Sequence, residues 1–312
     1  MHPAFSVIFL TTLIGAGQGL LLALYAVELG ARFDVLTPAA PFFFIGGSVL
    51  SLALLAAGLV ASFFHLGRPE RAWRSAAMWR TSWLAREVIA LPAFMAAVLA
   101  YGAAHYLGLA ASGWIGAVAA VLCLALFVCT GMIYACLKFL QEWHTALTPI
   151  NFFLLGTASG LTLAAAFAAY TAPPLVELLG VAAAAATALA LATRAASLAR
   201  NARIRPTSSL QTAIGIKHPR IAQKSQGLMG GSFNTREFFH GASLRSVRAV
   251  KWVFLLLAFP LPVLLVIAGI AQGASALLVL AFGVQYLGLL AERWFFLAQA
   301  RHPQNLYYQV IS

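Results

Sequence analysis

The sequence predicts an all-α integral membrane protein, a bundle of eight transmembrane helices with both termini cytoplasmic. Three observations predict it. Only 9% of the 312 residues are charged and 62% are hydrophobic, whereas soluble domains carry about 25% charged residues. The uncharged stretches are long enough to cross lipid, since a spanning helix needs about 20 apolar residues at about 1.5 Å each. Nineteen of the 20 Lys and Arg, against 8 Asp and Glu, gather on one side of the resulting bundle. A water-soluble chain of this size cannot hide so much apolar surface. A cytosolic enzyme, a secreted disulfide scaffold and a disordered protein are therefore excluded. The net charge of +12 sits in a few segments between apolar runs, which sets aside nucleic acid as a partner.

Taken in order, residues 1–27 hold one crossing and residues 35–67 a second. Residues 88–137 carry no formal charge and suffice for two helices, joined near Leu107 and Gly113. Residues 143–176 supply a fifth, and a sixth follows Pro173-Pro174 through an alanine-rich stretch to Ser197. Residues 252–291 hold the last two, turning at Gln272-Gly273-Ala274. The helices are expected at about 5–28, 40–65, 87–108, 114–137, 149–171, 175–197, 250–271 and 274–297. With both termini inside, every Lys and Arg except Arg32 falls on the inner side, as the positive-inside rule requires. Met1-His2-Pro3-Ala4 lacks the basic segment of a signal peptide, so the first helix is read as retained.

The one long connection, residues 199–249, is a basic cytoplasmic loop. Asn234-Thr235-Arg236-Glu237 has the spacing of a capping box. Phe238, Phe239, Leu244 and Val247, set among Arg245, Arg248 and Lys251, suit a helix lying in the headgroup region. Its positive charge serves two readings equally. It rests on anionic lipid at about 1 kcal/mol per basic residue, or it docks a soluble partner through residues such as Arg220, Lys224, Arg236 and Arg245.

The polar inventory excludes more than it assigns. Cys123, Cys129 and Cys136 are strung along one apolar helix without a CxxC motif and cannot build a four-cysteine cluster. They read as packing residues, and no metal ligand set is expected. No histidine falls at a helix centre, so haem is not expected; a pair such as His65 and His144 at the inner edge leaves it open. All carboxylates map to loops or outer helical turns. Ion-coupled transporters usually bury such residues deep in the membrane, which counts against a transporter while leaving open one built on broken helices.

The densest polar constellation runs from His65-Leu66-Gly67-Arg68-Pro69 to Arg86-Glu87. Gly67 and Pro69 end the second helix, and Glu87 is expected in the first turn of the third, favoured there by the helix dipole. A two-electron lipid carrier such as a quinol loses two protons on oxidation. Its site needs an apolar slot and a group that titrates near neutral pH. His65 is the natural acceptor, Glu87 a second acceptor or relay, and Arg68 a partner for Glu87 or a ring oxygen. Taken alone, a boundary histidine more often bonds a carbonyl, and arginines here set topology. The first helix adds Thr11, Thr12, Gly15 and Gln18; Gly15 and Gly19 have the small-xxx-small spacing of close helix contacts, and Gln18 reads as interhelical glue or as a pocket residue.

The opening His2-Pro3-Ala4-Phe5, the Thr11-Thr12-Leu13-Ile14-Gly15-Ala16-Gly17-Gln18-Gly19 string, the His65–Pro69 turn, Glu87 and Phe233–Glu237 resemble the DmsC family. These are membrane-anchor subunits of dimethyl sulfoxide reductase, and the likeness is greatest to the branch serving cytoplasmic sulfite dehydrogenases. The resemblance spans essentially the whole chain. It implies a three-subunit oxidoreductase of the bacterial cytoplasmic (inner) membrane. A molybdopterin catalytic subunit and a four-cluster iron–sulfur subunit dock on the anchor, which exchanges electrons with menaquinone or ubiquinone. It associates the quinone site with the His65 and Glu87 positions. The alternatives are a small-molecule transporter and a purely structural tether.

Overall fold

The computed structural model describes residues 1–64, 66–224 and 237–308. Eight of its helical segments are long and apolar enough to cross a membrane, and no strand occurs among the described residues. The crossings are α1 (Phe5–Arg32), α2 (Pro41–Phe63), α3 (Trp83–Tyr106), α4 (Ser112–Ala135), α5 (Leu147–Thr171) and α6 (Val176–Ala202). After a one-turn helix α7 (Leu210–Ile214), α8 (Leu244–Leu257) and α9 (Pro260–Gln272) together make the seventh crossing, and α10 (Ser275–Gln299) the eighth. The two chain ends meet on one face: the Met1 amine donates to the Ala300 carbonyl at 2.8 Å.

α1 is the hub, packed chiefly on α2 and α5. The sequence put Gly15 and Gly19 on one stripe, and α5 answers with Gly156 and Gly160. A Cβ built on Gly19 would strike the Gly156 carbonyl oxygen, and one on Gly160 would strike the Gly19 backbone. Lipid offers no hydrophobic drive between helices, so such backbone contact is a main source of cohesion. Polar side chains tie the rest. Ser51 Oγ donates to the Gly17 carbonyl at 2.8 Å, Asn151 Nδ2 to Ser197 Oγ at 2.7 Å, and Gln285 Nε2 to Thr187 Oγ1 at 3.0 Å.

Three expectations change. The helix begun by Leu244, capped by Ser243 Oγ accepting from Ser246 N at 3.1 Å, carries Arg245, Arg248 and Lys251 on its first turns. Those residues start the seventh crossing and do not form a separate interfacial helix; the proposed cap at Asn234 lies outside the described residues. That crossing is also broken, at Phe259 with φ −124° and ψ −81°. Pro260 and Pro262 have no N–H to donate, and proline rings clash with the preceding turn. The Ala258 carbonyl, whose partner in an unbroken helix would be the nitrogen of Pro262, lies 3.4 Å from Gln285 Nε2 instead, the kind of substitute a lipid-embedded break requires. Finally, α3 starts at Trp83, with Ser82 Oγ accepting from Ala85 N at 3.3 Å. Glu87 is thereby drawn past the first turn and into the bundle.

Candidate functional site

Glu87 is buried, and Thr130 of α4 donates to its Oε1 at 2.5 Å. It lines a cavity of about 20 Å³ that also takes in Thr11, Thr12, Gly15 and Gln18 of α1, Ser159 of α5 and Arg293 of α10. Residues 11, 15 and 18 share one face of α1 by helical periodicity. Gln18 serves both sequence readings: it lines the cavity, and its Nε2 donates to the Cys123 carbonyl at 2.9 Å. The hydroxyls of Thr11 and Thr12 donate back along α1, to the Val7 carbonyl at 2.9 Å and the Ile8 carbonyl at 2.8 Å. Thr11 Oγ1 keeps acceptor capacity, while Thr12 Oγ1 also lies 3.2 Å from the Tyr286 hydroxyl. The remaining wall is apolar: Leu10, Ile14, Phe127, Phe152, Leu155 and Leu289. All of the lining is buried except Leu10 and Thr11, which are partly exposed.

Arg293 was read from the sequence only as a topology-setting charge. It is 5% exposed, and its guanidinium sits 3.7 Å from the centre of the Phe152 ring. Nη1 lies 3.4 Å from Glu292 Oε2, while Glu292 Oε1 lies 2.7 Å from Nε of Arg194 on α6. Glu292 is fully buried and Arg194 is 2% exposed. This corrects the expectation that every carboxylate sits in a loop or an outer turn: Glu292 lies two turns inside the end of α10, paired across to another helix. The helix-level signal was present, because Arg194, Glu292 and Arg293 each interrupt an otherwise apolar run within a crossing.

The other sequence candidates are spread out. His65 lies outside the described residues, as does Arg236. Arg68 is exposed, adopts φ −144° ahead of the 3₁₀ segment Pro69–Met78, and does not line the cavity. Arg220, Lys224 and Arg245 are exposed on the face that carries the termini. His144 Nδ1 is engaged by the Ala135 carbonyl at 2.6 Å, so that ring nitrogen is not free for haem. Among the described residues no group of three or more His, Cys, Asp or Glu is placed to hold a metal.

On the same face lies a second, wider cavity of about 580 Å³, lined in part by Glu142, Asn201, Lys251, Gln299, Arg301 and His302. His302 stacks on Phe238 with ring centres 3.6 Å apart, and burial there lowers its pKa from the ordinary imidazole value.

The chemistry of the smaller cavity suits one oxygen of a hydroquinone or quinone: a carboxylate and a guanidinium on a mostly apolar wall. Its volume matches a single water. It therefore fits that oxygen, and the ring only if Leu10 and Thr11 at the exposed edge give way.

A sequence profile described as DMSO reductase anchor subunit (DmsC) matches residues 1–296. A sulfite dehydrogenase subunit of Allochromatium vinosum is 55% identical over 325 aligned residues, covering 100% of both chains.

Proposed function

The chain belongs to the DmsC family of DMSO reductase anchor subunits, and from that premise we propose that it is the quinone-interacting membrane subunit of a molybdopterin oxidoreductase. It passes electrons between menaquinone or ubiquinone and an iron–sulfur subunit. Full-length likeness to the Allochromatium sulfite dehydrogenase protein favours sulfite as the substrate of the complex, with that chemistry in the molybdopterin subunit. The complex sits in a bacterial inner membrane, with its soluble subunits on the face that carries the termini and the exposed Arg220, Lys224 and Arg245.

One observation carries the reading. Glu87, Gln18, Thr130 and Arg293 converge from four helices on one small cavity near the termini face. A quinone supplies two-electron, two-proton chemistry when bound. Glu87 exchanges one proton with a ring oxygen, in either direction of turnover. Thr130 orients the carboxylate by donating to Oε1, which leaves the rest of the group toward the cavity. The apolar wall excludes bulk water and accepts the ring once Leu10 and Thr11 at the exposed edge move aside. His65 is the sequence's choice for the second proton.

Glu87→Gln keeps the shape and removes the titrating group. Quinone-linked turnover of the assembled complex should fall by about 10²–10⁴-fold, while turnover with an artificial dye is unchanged. His65→Arg should behave alike. Normal quinone-linked turnover in both variants overturns the site.

Buried charges and a broken crossing are also what transporters use. Here they are closed on one another: Arg194 on Glu292 at 2.7 Å, and the freed Ala258 carbonyl on Gln285. Proteoliposomes holding this chain alone should therefore show no substrate flux, and quinone-analogue binding to the isolated chain separates the site from a purely structural tether.

A further inference from the structure

We infer that Arg293 is the anion-holding group of the cavity, receiving the ring oxygen from which Glu87 has taken the proton, and that Glu292 and Arg194 position it there. The inference rests on the quinone reading of that cavity.

Glu87 and Arg293 are the two charged residues of the described lining. Behind Arg293, a single carboxylate serves two guanidiniums: Glu292 Oε1 is 2.7 Å from Arg194 Nε, and Oε2 is 3.4 Å from Arg293 Nη1. Arg194, the nearer and more deeply buried partner, takes the larger share of that carboxylate. The three residues together keep one positive charge in excess, and Arg293 carries it toward the cavity. While Glu87 is ionised, the cavity lining as a whole carries no net charge. Once Glu87 is protonated, a buried cation stands without a counter-charge, an arrangement costly in a low-dielectric interior. The balance returns only if negative charge arrives at the cavity.

The proton transfer supplies it. Glu87 takes the proton of a ring hydroxyl, the O–H bond breaks, and its electron pair stays on the oxygen beside Arg293. The second ring hydroxyl gives its proton to water on the termini face as two electrons pass to the iron–sulfur subunit, and quinone reduction runs the same transfers backwards. Donors already aimed at where charge develops need no reorganisation when it forms. Arg293 is held that way: the Phe152 ring lies 3.7 Å below its guanidinium, the Phe296 ring is 5.6 Å off, and Glu292 Oε2 stands 3.4 Å from one arm of the fork. Arg194 in turn is fixed by Glu292 and by the rings of Phe254, Phe295 and Phe296.

The test uses the assembled complex and two inhibitors of quinone-linked turnover, pentachlorophenol, which is ionised at neutral pH, and its uncharged methyl ether. In Arg293→Gln the inhibition constant for the phenolate should rise by about 10–100-fold, with that of the ether unchanged. The value of kcat should fall more than KM rises, and dye-linked turnover should hold. Arg293→Lys keeps the charge and loses the fork, so phenolate inhibition should weaken by a smaller factor and part of kcat should return. It also serves if Arg293→Gln fails to assemble. Phenolate and ether inhibition that match wild type in Arg293→Lys, and in Arg293→Gln where it assembles, overturn the role of Arg293. If Glu87→Gln still abolishes quinone-linked turnover in that case, the quinone reading stands without it. If Glu87→Gln is also silent, the quinone reading falls first.

Discussion

Glu87 and Glu28 are both buried carboxylates near helix ends, each bonded to a hydroxyl of α4, yet their surroundings differ in kind. On the face away from the termini, Glu28 Oε1 accepts from Ser112 Oγ at 2.7 Å and from Arg32 Nη2 and Nε at 2.8 and 3.1 Å, while Oε2 faces His105 Nε2 at 3.4 Å. His105 is clamped between Phe44, stacked at 4.3 Å, and Tyr101, edge-on at 4.7 Å. Glu87 has one hydroxyl donor and shares a cavity lining with Arg293. The space beside Glu28 is the larger, about 320 Å³ against about 20 Å³. Pocket size therefore does not separate the two sites; the partners do. A carboxylate held by a hydroxyl and a guanidinium on one oxygen and faced by an imidazole on the other ties helices together, whereas one with a single hydroxyl donor keeps more acceptor capacity and can take a proton.

That contrast can be broken or sharpened by mutation. The largest effect is expected at the site with more partners. Glu28→Gln strips the Arg32 and His105 pairing and should lower the stability of the detergent-solubilised protein by about 1–3 kcal/mol, with quinone-linked turnover within about twofold of wild type. A collapse of turnover at full stability would make Glu28 a functional acid and erase the distinction. Next comes Thr130→Val, which removes the hydroxyl donor from Glu87. Turnover should drop by about tenfold, equivalent to one hydrogen bond of about 1.4 kcal/mol to a charged group, while the melting temperature barely moves. The smallest is Gln18→Leu. Interhelical hydrogen bonds in membranes average about 0.6 kcal/mol, so a thermal-unfolding shift at the edge of detection is expected from loss of the bond to Cys123. A turnover loss beyond about threefold would move Gln18 from helix contact to ligand contact.

How much of this was legible in the sequence differs between fold and site. The eight crossings could be read because lipid demands a local property, an uncharged window of about 20 residues. The break at Phe259 had its signal too, in Pro260 and Pro262, although the substitute donor Gln285 lies on another helix. The site was half visible. Glu87 and Gln18 stood out as polar residues in apolar surroundings, and the cavity brings them together. Arg68 stood closer to Glu87 in sequence and was the obvious cation for it, but the exposed 3₁₀ segment carries it away and Arg293 stands in that position. Thr130 gave no signal, because a threonine in an apolar helix usually bonds its own backbone.

By itself, the sequence determined the medium, the number of crossings and the glycine stripe of α1, since each depends on residues close together along the chain. Only the tertiary structure decided which charges are structural and which face a cavity. The physical reason is that a buried charge is defined by its counter-charge, and the most deeply buried pair here joins distant positions: Glu292 holds Arg194 across 98 positions of chain. A window short enough to reveal a helix cannot contain that pair.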